Sequence, residues 1–599
     1  MSQWIGSVNL GHNAGVCLLK DGEIIFSVEE ERLSKSKHDG GPMLSLMKIL
    51  DYTDKIDYLI VSGLTVGAPK WVPNHTTTIE YSREPVYQGL ARRLGLIEQP
   101  VDKNTETQSP QVVNMFNNHH QLHSAIAFYN SGYETATSVI VDSSGSCREI
   151  YNEEEGYTYF ETESFFECSY EKGIIQLYKQ MMCDKGRSHI IRKCQDMEIG
   201  PEIHTLIADE GPGIGKVWDA VTNYCGFHVN ECGKTMGLSA YGCENDELPD
   251  LFQGDLANKD LVKAFYPHRA HLNYHKYEIL DDADWNSDIT KSKGRRDMAF
   301  KAQKETQERV LNLILKASEM SNNKNIVLSG GHALNCVSNY YYLDKLKEHD
   351  IHLYVEPNSS DGGTATGAAL LYHYTINKDD ISKRKRRESL FLGPEYNYTG
   401  AELYKAIEKY EVQGTAIWPE TSYKEIAELI KDGNIVSIFQ GRSENGPRAL
   451  GNRSILFNPT ITDGKEIVNK VKGREYFRPF AASIMKEYAH DWFDMKGLKE
   501  SPNMMYAVNV KEDKKDLIPA VLHVDDTCRI QTVSKEGNEH YYNLIEEFWK
   551  LTGIPLLFNT SFNLAGDPLV ETMDDALKVL NDSEMEYCYM PELNSLIKL

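Results

Sequence analysis

The sequence has no C-x-x-C pair among its 11 cysteines and no apolar run that approaches the length of a membrane span. Scattered thiols without paired spacing exclude a disulfide framework and read as reduced cysteines of a cytoplasmic protein. The missing apolar run excludes a transmembrane helix. The opening residues Met1-Ser2-Gln3-Trp4-Ile5 lack the basic-then-apolar order of a secretory leader. Positive charge is also scarce: 64 Lys and Arg stand against 88 Asp and Glu, a net charge of −24. That balance argues against a broad electrostatic grip on polymeric nucleic acid, yet leaves room for a local basic cleft around a small anion. The chain carries no internal sequence repeat and no low-complexity tract.

What is present belongs to a folded protein. Thirty-four Tyr and 19 Phe supply large core side chains, and 599 residues exceed what one core holds, so two large domains are expected. Residues 376–396 look like the boundary, with Asn377-Lys378-Asp379-Asp380, the basic run Lys383-Arg384-Lys385-Arg386-Arg387, and then Gly393-Pro394. Such a run is commoner in a solvated linker than as a nuclear signal. The expected division is 1–376, a linker at 377–396, and 397–599.

Three strand-ending turns of small and polar residues mark the first half. Trp4 to Leu10, Val16 to Leu19 and Glu23 to Val28 read as strands joined by the turn Gly11-His12-Asn13-Ala14-Gly15 and the hairpin turn Lys20-Asp21-Gly22. Ser138 to Val141 runs into Asp142-Ser143-Ser144-Gly145-Ser146, and Ile326 to Ser329 into Gly330-Gly331 and on to Asn335. Ala299, Ala302, Val310, Leu313, Ile314 and Ala317 have helical spacing. Three such turns suit a phosphate-binding cleft between α/β lobes, because their backbone N–H groups point at anions. Gly211-Pro212-Gly213-Ile214-Gly215-Lys216 lacks P-loop spacing and is a weak phosphate-loop match.

His119-His120-Gln121-Leu122-His123 puts two imidazoles four residues apart on one helix face, which is metal-ligand spacing. The alternative is an ordinary pair of partly buried histidines. Far downstream, Asp361 opens the small-residue run Gly362 to Gly367, of a kind that starts a helix against a phosphate. The second half concentrates cations in an acidic chain: Arg442, Arg448, Arg453, Lys472, Arg474, Arg478 and Arg529 lie among Gly, Pro and Phe, with Ser561 and Asn563 beyond. Arginine binds phosphate and carboxylate bidentately and keeps its charge when partly buried, so this set reads as an anion site with Ser561 and Asn563 as neutral donors to a nucleotide. Structural pairing of the arginines with Glu444 and Glu475 is the alternative.

These residues resemble the O-carbamoyltransferases of the NodU/CmcH family. The resemblance is carried by G-H-N-A-G with Glu29-Glu30-Glu31-Arg32 and Lys37-His38-Asp39, by NHHQLHSAIAFYNSGY, GKTMGLSAYG and LSGGHALNCVSN, and by GRSENGPRALGNRSIL, KGREYFRPFA, DDTCRIQTV and NTSFN. It departs where Ser143 and Ser146 replace family residues after Asp142, and where Ser360 precedes Asp361. The resemblance implies an α/β protein with an N-terminal actin/hexokinase-like (ASKHA) two-lobed domain and a C-terminal YrdC-like domain. The C-terminal domain would make carbamoyl-adenylate from carbamoyl phosphate and ATP, with Mg2+ accompanying ATP. Lys472, Arg474, Arg448 and Arg529 would neutralise charge there, with Ser561 and Asn563 binding. The N-terminal domain would pass the carbamoyl group to a hydroxyl of a small-molecule acceptor, a natural product, sugar or toxin; a hydroxymethylated nucleobase is the other acceptor class. His119, His123, Asp142 and Asp361 would hold Fe2+, Mn2+ or Zn2+, with His120 able to replace His119. Gly330, Gly331, Asn335 and Gly362 would line the nucleotide, and His12 would serve as general base. Acceptor specificity is expected in residues 64–110 and 150–200, where the Tyr and Phe of 151–170 hint at a ring or sugar face.

Overall fold

The computed structural model describes residues 2–63, 80–81, 84–98, 111–151, 156–183, 189–191, 205–209, 211–265, 269–281, 284–378, 380–387, 389–410 and 416–598. They form two compact units, one of residues 1–30 and 38–387, the other of residues 31–37 and 388–599. Among the described residues no helix is long and apolar enough to cross a membrane.

The first unit is built on two sheets of one design. In the first, Trp4–Leu10 pairs antiparallel with Gly15–Lys20, which pairs antiparallel with Glu23–Glu29, while Tyr58–Gly63 and Val112–Asn114 extend the other side in parallel. Asp21 and Gly22 turn the second hairpin with φ of 52° and 86°, the two positive angles that an Asp-Gly pair accepts. In the second sheet Thr135–Val141 takes the place of the first strand. Gly156–Ser169 and Gly173–Cys183 continue antiparallel on one side, and Asn325–Ser329 and His352–Val355 run parallel on the other. The five-strand order and directions are the same, with further strands beyond Gly173–Cys183. A duplication invisible in the sequence is therefore plain in the topology, and it is that of the actin/hexokinase-like class. The strand Gly156–Ser169 shifts register between Glu161 and Glu163; a bulge of this kind re-aims neighbouring side chains.

Two helices lie between the sheets. His119–Ser131 ends at Gly132, whose φ of 80° closes the last turn, and packs on the second sheet. Thr364–Ile376 packs on the first sheet and against its partner helix. One core unites Ile5, Leu19, Leu122, Phe128, Ile140, Val327, Ala365 and Ala369. The small-residue run after Asp361 is explained here by packing: a Cβ on Gly367 would overlap the Leu122 carbonyl, and one on Gly363 the Asn358 carbonyl. Of the aromatics of 151–170 expected to face a ligand, Tyr159, Phe160, Phe165 and Phe166 are buried in the core. The weak phosphate-loop match precedes helix Ile214–Tyr224, where Gly213 and Gly215 allow close backbone contact with Thr162 and Ser143.

The basic run at 383–387 is fastened to this unit. Lys383 pairs with Asp21 at 3.3 Å, Arg384 with Glu134 at 2.9 Å, and Arg387 with the buried Glu356 at 2.8 Å. The second unit is a mixed nine-stranded sheet flanked by helices, its centre formed by Val436–Phe439, Arg453–Phe457, Leu556–Ser561 and Ala481–Met485. Residues 31–37 join it through Arg32, which donates to the Gly446 carbonyl at 2.8 Å, and Lys35, which pairs with Asp575 at 2.5 Å.

Substituting Gly367→Ala is expected to destabilise the first unit by about 1–3 kcal/mol, the usual cost of overpacking. Calorimetry would show a lowered midpoint for that unit; an unchanged midpoint would mean that the two helices separate freely.

Candidate metal centre and cationic site

Four potential ligands come from the ends of elements that the central helices bring together. His119 is the first residue of its helix and His123 lies one turn on; Asp142 follows the strand Thr135–Val141; Asp361 begins the turn ahead of Thr364–Ile376. Their ligand atoms all lie within 4.8 Å of one another and all four residues are buried. The two Nε2 atoms are 3.1 Å apart. Asp142 Oδ2 is 3.2 and 3.7 Å from the Nε2 atoms of His119 and His123, and Asp361 Oδ1 is 3.4 and 3.5 Å from them. Donors about 2.1 Å from a shared tetrahedral centre are separated by about 3.4 Å, so these spacings fit one ion.

The electrostatics are those of a group that could hold a cation. Burial works against charge on His119, but Asp361 and Asp142 outweigh it and push its pKa up to about 10. Against the effect of its own burial, the same imidazolium holds Asp361 well below the usual carboxylate range. A divalent ion bound to neutral imidazoles satisfies both carboxylates, and the mixed N/O donor set suits iron, manganese or zinc. His120 turns away: its Nδ1 meets Ser164 Oγ at 2.8 Å, and burial lowers its pKa to about 3.

The neighbouring turns orient these ligands. Asp142 Oδ1 accepts the N–H groups of Ser143 at 2.8 Å and Gly331 at 3.3 Å, which leaves Oδ2 facing the imidazoles. Gly330 holds φ at 90° where a Cβ would overlap the Val141 carbonyl. Gly362 packs against Glu29, where a Cβ would come within 2.6 Å of its carboxyl carbon. Asn335, expected at a nucleotide, is a helix cap: its Oδ1 accepts from Ser338 N–H and its Nδ2 donates to Gln303. His12 Nδ1 stands 3.6 Å from Asp361 Oδ2 with 43% of its side chain exposed, at the open rim of the cluster.

The second unit gathers cations instead. Helix Gly464–Lys472 stops at Gly473, with φ of 64°, and Arg474 follows. The buried Lys472 ammonium donates to Ser561 O and, at 2.8 and 3.0 Å, to the backbone and side-chain oxygens of Asn563. Ser561 in turn donates to Asn563 Oδ1 at 2.7 Å, and Asn563 Nδ2 to the Asp567 carbonyl at 2.6 Å. Ser561 and Asn563 thus hold the lysine, and their donors turn inward. Burial, then Arg474, Arg478 and Lys37, lower the Lys472 pKa well below its ordinary value; burial, Arg478 and Arg529 do the same to Arg474. The crowded cations lower one another's pKa, which gives this cluster the opposite electrostatics to the four-residue group of the first unit. Arg448 lies on the loop whose Ala449 and Leu450 carbonyls accept from Asn559 and Gln531, in the strands that carry Ser561 and Arg529.

Two other arginines of the motif are structural. Arg442 donates to the Gly393 and Leu392 carbonyls. The fully buried Arg453 reaches four carbonyls and lies 3.9 Å over the Phe439 ring. Among the described residues Glu444 enters no ion pair, and its Oε1 accepts N–H groups of Leu450, Asn452 and Arg453, whereas Glu475 pairs with Arg478 at 3.4 Å. Sequence reading missed Glu161 and Lys179, a buried ion pair beside the start of the helix that carries His119. The available signal was Glu161-Thr162-Glu163-Ser164 set between Phe160 and Phe165 in an otherwise aromatic strand.

Glu163 yields a pH prediction. Burial raises its pKa to about 7 while Ile214 N–H and Thr162 hydrogen-bond it. Its folded value exceeds its unfolded one, so its contribution to stability is complete below about pH 4.3 and lost as pH climbs through about 7. Glu163→Gln should therefore gain about 1–3 kcal/mol relative to the wild type between pH 5 and pH 8. Equal differences in unfolding free energy at both pH values would refute this.

Both halves of the chain match known proteins. Residues 93–370 match the family profile described as carbamoyltransferase N-terminus, and residues 427–595 the one described as carbamoyltransferase C-terminus. Nodulation protein NolNO of Sinorhizobium fredii is 28% identical over 96% of this chain and 77% of that protein. An uncharacterised protein of Synechocystis sp. is 29% identical over 98% of this chain and 95% of its own length. Nodulation protein U of Azorhizobium caulinodans is 34% identical over 41% of this chain and 40% of that protein. Among solved structures, full-length HypF in its phosphate- and nucleotide-bound form aligns with a TM-score of 0.36 at 13% identity, over 63% of this chain and 47% of that one. With the N-terminal and C-terminal profiles of one family matched in order along it, the chain belongs to the carbamoyltransferase family.

Proposed function

We propose that the protein is an ATP-dependent O-carbamoyltransferase with a separate site for each half-reaction. The observation that carries this reading is the opposite charge demand of the two clusters: one, in the N-terminal family half, requires a cation, and the other, in the C-terminal half, requires an anion. In the second unit, with a YrdC-like role, carbamoyl phosphate loses phosphate to water. The resulting carbamate oxygen attacks the α-phosphorus of ATP, forming carbamoyl-adenylate and expelling pyrophosphate. Lys472 and Arg474 neutralise the phosphates, with Arg448 and Arg529 placed to meet the developing charge.

In the first unit the hydroxyl of a small-molecule acceptor attacks the carbamoyl carbon, and the C–O bond to AMP breaks. His12, half-exposed at the rim beside Asp361, takes the hydroxyl proton. Gly330 and Gly331 leave room for a phosphate beside Asp142. His119, His123, Asp142 and Asp361 would hold the divalent ion, which would supply Lewis-acid stabilisation of the departing phosphate charge. Sequestering the two steps suits a mixed anhydride that water would destroy.

The test is pyrophosphate release from ATP with carbamoyl phosphate and no acceptor. Release should depend strictly on carbamoyl phosphate, and Lys472→Ala or Arg474→Ala should lower it by about two to three orders of magnitude. His123→Ala and Asp361→Ala should retain it while losing transfer to the acceptor. Equal loss in His123→Ala and Lys472→Ala would sink the two-site division.

A further inference from the structure

The helix that carries both candidate metal histidines begins on one of them. His119 is its first residue, so any shift of the helix start moves a ligand directly. The local sequence does not secure that start. Asn118, at the capping position, makes no cap hydrogen bond and donates its side-chain amide to Gln121 at 2.6 Å instead, and no acidic residue lies in the first turn. The rings are not secured from behind either. Metal-bound histidines ordinarily donate their second ring nitrogen to a carboxylate or carbonyl, yet Nδ1 of His119 and of His123 are both buried with no hydrogen-bond partner among the described residues. Ring orientation in this chain thus depends on where the backbone of the first turn is held.

That backbone is held from another strand. Ser146 Oγ accepts the His119 N–H at 3.2 Å and donates to the Phe116 carbonyl at 2.9 Å. Glu161 Oε2 accepts the Ser146 N–H at 3.0 Å and faces the His120 N–H at 3.5 Å. Its other oxygen pairs with Lys179 on the adjacent strand. Glu161, Lys179, Ser146 and His120 are all buried, and Gly145 leaves no room for a side chain between Glu161 and His120. A buried ion pair is a poor means of gaining stability, since apolar replacements often do as well. A carboxylate at the orphan N–H groups of a helix start is a good means of fixing it. The register shift beside Glu161 is what brings it to this helix, while Glu163 goes to Ile214.

We propose that Glu161, paired with Lys179, caps the histidine helix across the fold and is a positioning residue for the metal centre, with Ser146 relaying its hold to His119. The inference rests on the metal reading of the four-residue cluster. Cobalt(II) titration of the metal-free full chain, followed by visible absorption and calorimetry, separates the two. A wild type that binds no cobalt removes the metal reading itself. With wild-type binding at one ion per chain, Glu161→Gln and Lys179→Met should weaken cobalt binding 10–100-fold and change its d–d bands, and Lys179→Arg should restore most of both. Ser146→Ala, the milder change, should weaken binding several-fold in a folded chain. Arg387→Met breaks another buried ion pair of the same unit and should lower the melting temperature without changing the cobalt spectrum. Wild-type affinity and bands in Glu161→Gln and Ser146→Ala would overturn the proposal, as would equal spectral damage in Arg387→Met.

Discussion

Two carboxylates buried side by side cannot both stay ionised without a compensating positive charge, and the first unit is arranged around that constraint. Asp142 and Asp361 come from strands and turns more than 200 residues apart, and both His119 and His123 lean into the space between them. The arrangement exists because two helices cross closely enough for their ends to meet, and they do so because Gly367 offers no side chain at the crossing. Charge balance and steric fit are therefore one problem at this point of the fold. A larger residue in the small-residue stripe would pull Asp361 away from the imidazoles.

The second unit answers the opposite demand with the same physics. Lys472 is enclosed by neutral oxygens of Ser561 and Asn563, and arginines crowd it from Arg474 onward. Glu444 caps the nearby loop through N–H groups, which uses a carboxylate without neutralising an arginine, while Glu475 pairs with Arg478 at 3.4 Å. Arg442 and Arg453 show the contrast. Their guanidinium groups donate to backbone carbonyls, so identical side chains in one motif differ in what holds them.

Local chemistry was legible in the sequence where a residue's role is set by its immediate neighbours. The first three strands and the Asp21-Gly22 hairpin follow from alternation and turn preference, and the His119/His123 pair from helical spacing. Asp142 and Asp361 came through family resemblance, and their meeting depends on tertiary packing that no local pattern encodes. Small residues have packing roles that no local pattern shows. In the run after Asp361, Gly367 serves a helix crossing and Gly363 lies against the Asn358 carbonyl, and Asn335 caps a helix. The aromatic run around Phe160 looked like a ligand face because composition does not tell which side of a sheet is covered. Glu161 was illegible for a sharper reason: a bulge decides which way it points, and a bulge is a property of two strands together.

The excursion of residues 31–37 carries a consequence for how the chain can be divided. Arg32 and Lys35 leave the first unit's sequence to complete the second, then the chain returns before residue 38. Cleavage at residue 387 would separate the bulk of the two units yet leave the C-terminal piece without the guanidinium on Gly446 and the ammonium on Asp575. The N-terminal piece would keep a seven-residue strand of chain with nothing to hold. The chain thus passes between the two units at three points in the sequence, and neither is a genetic module that a single cut could release intact.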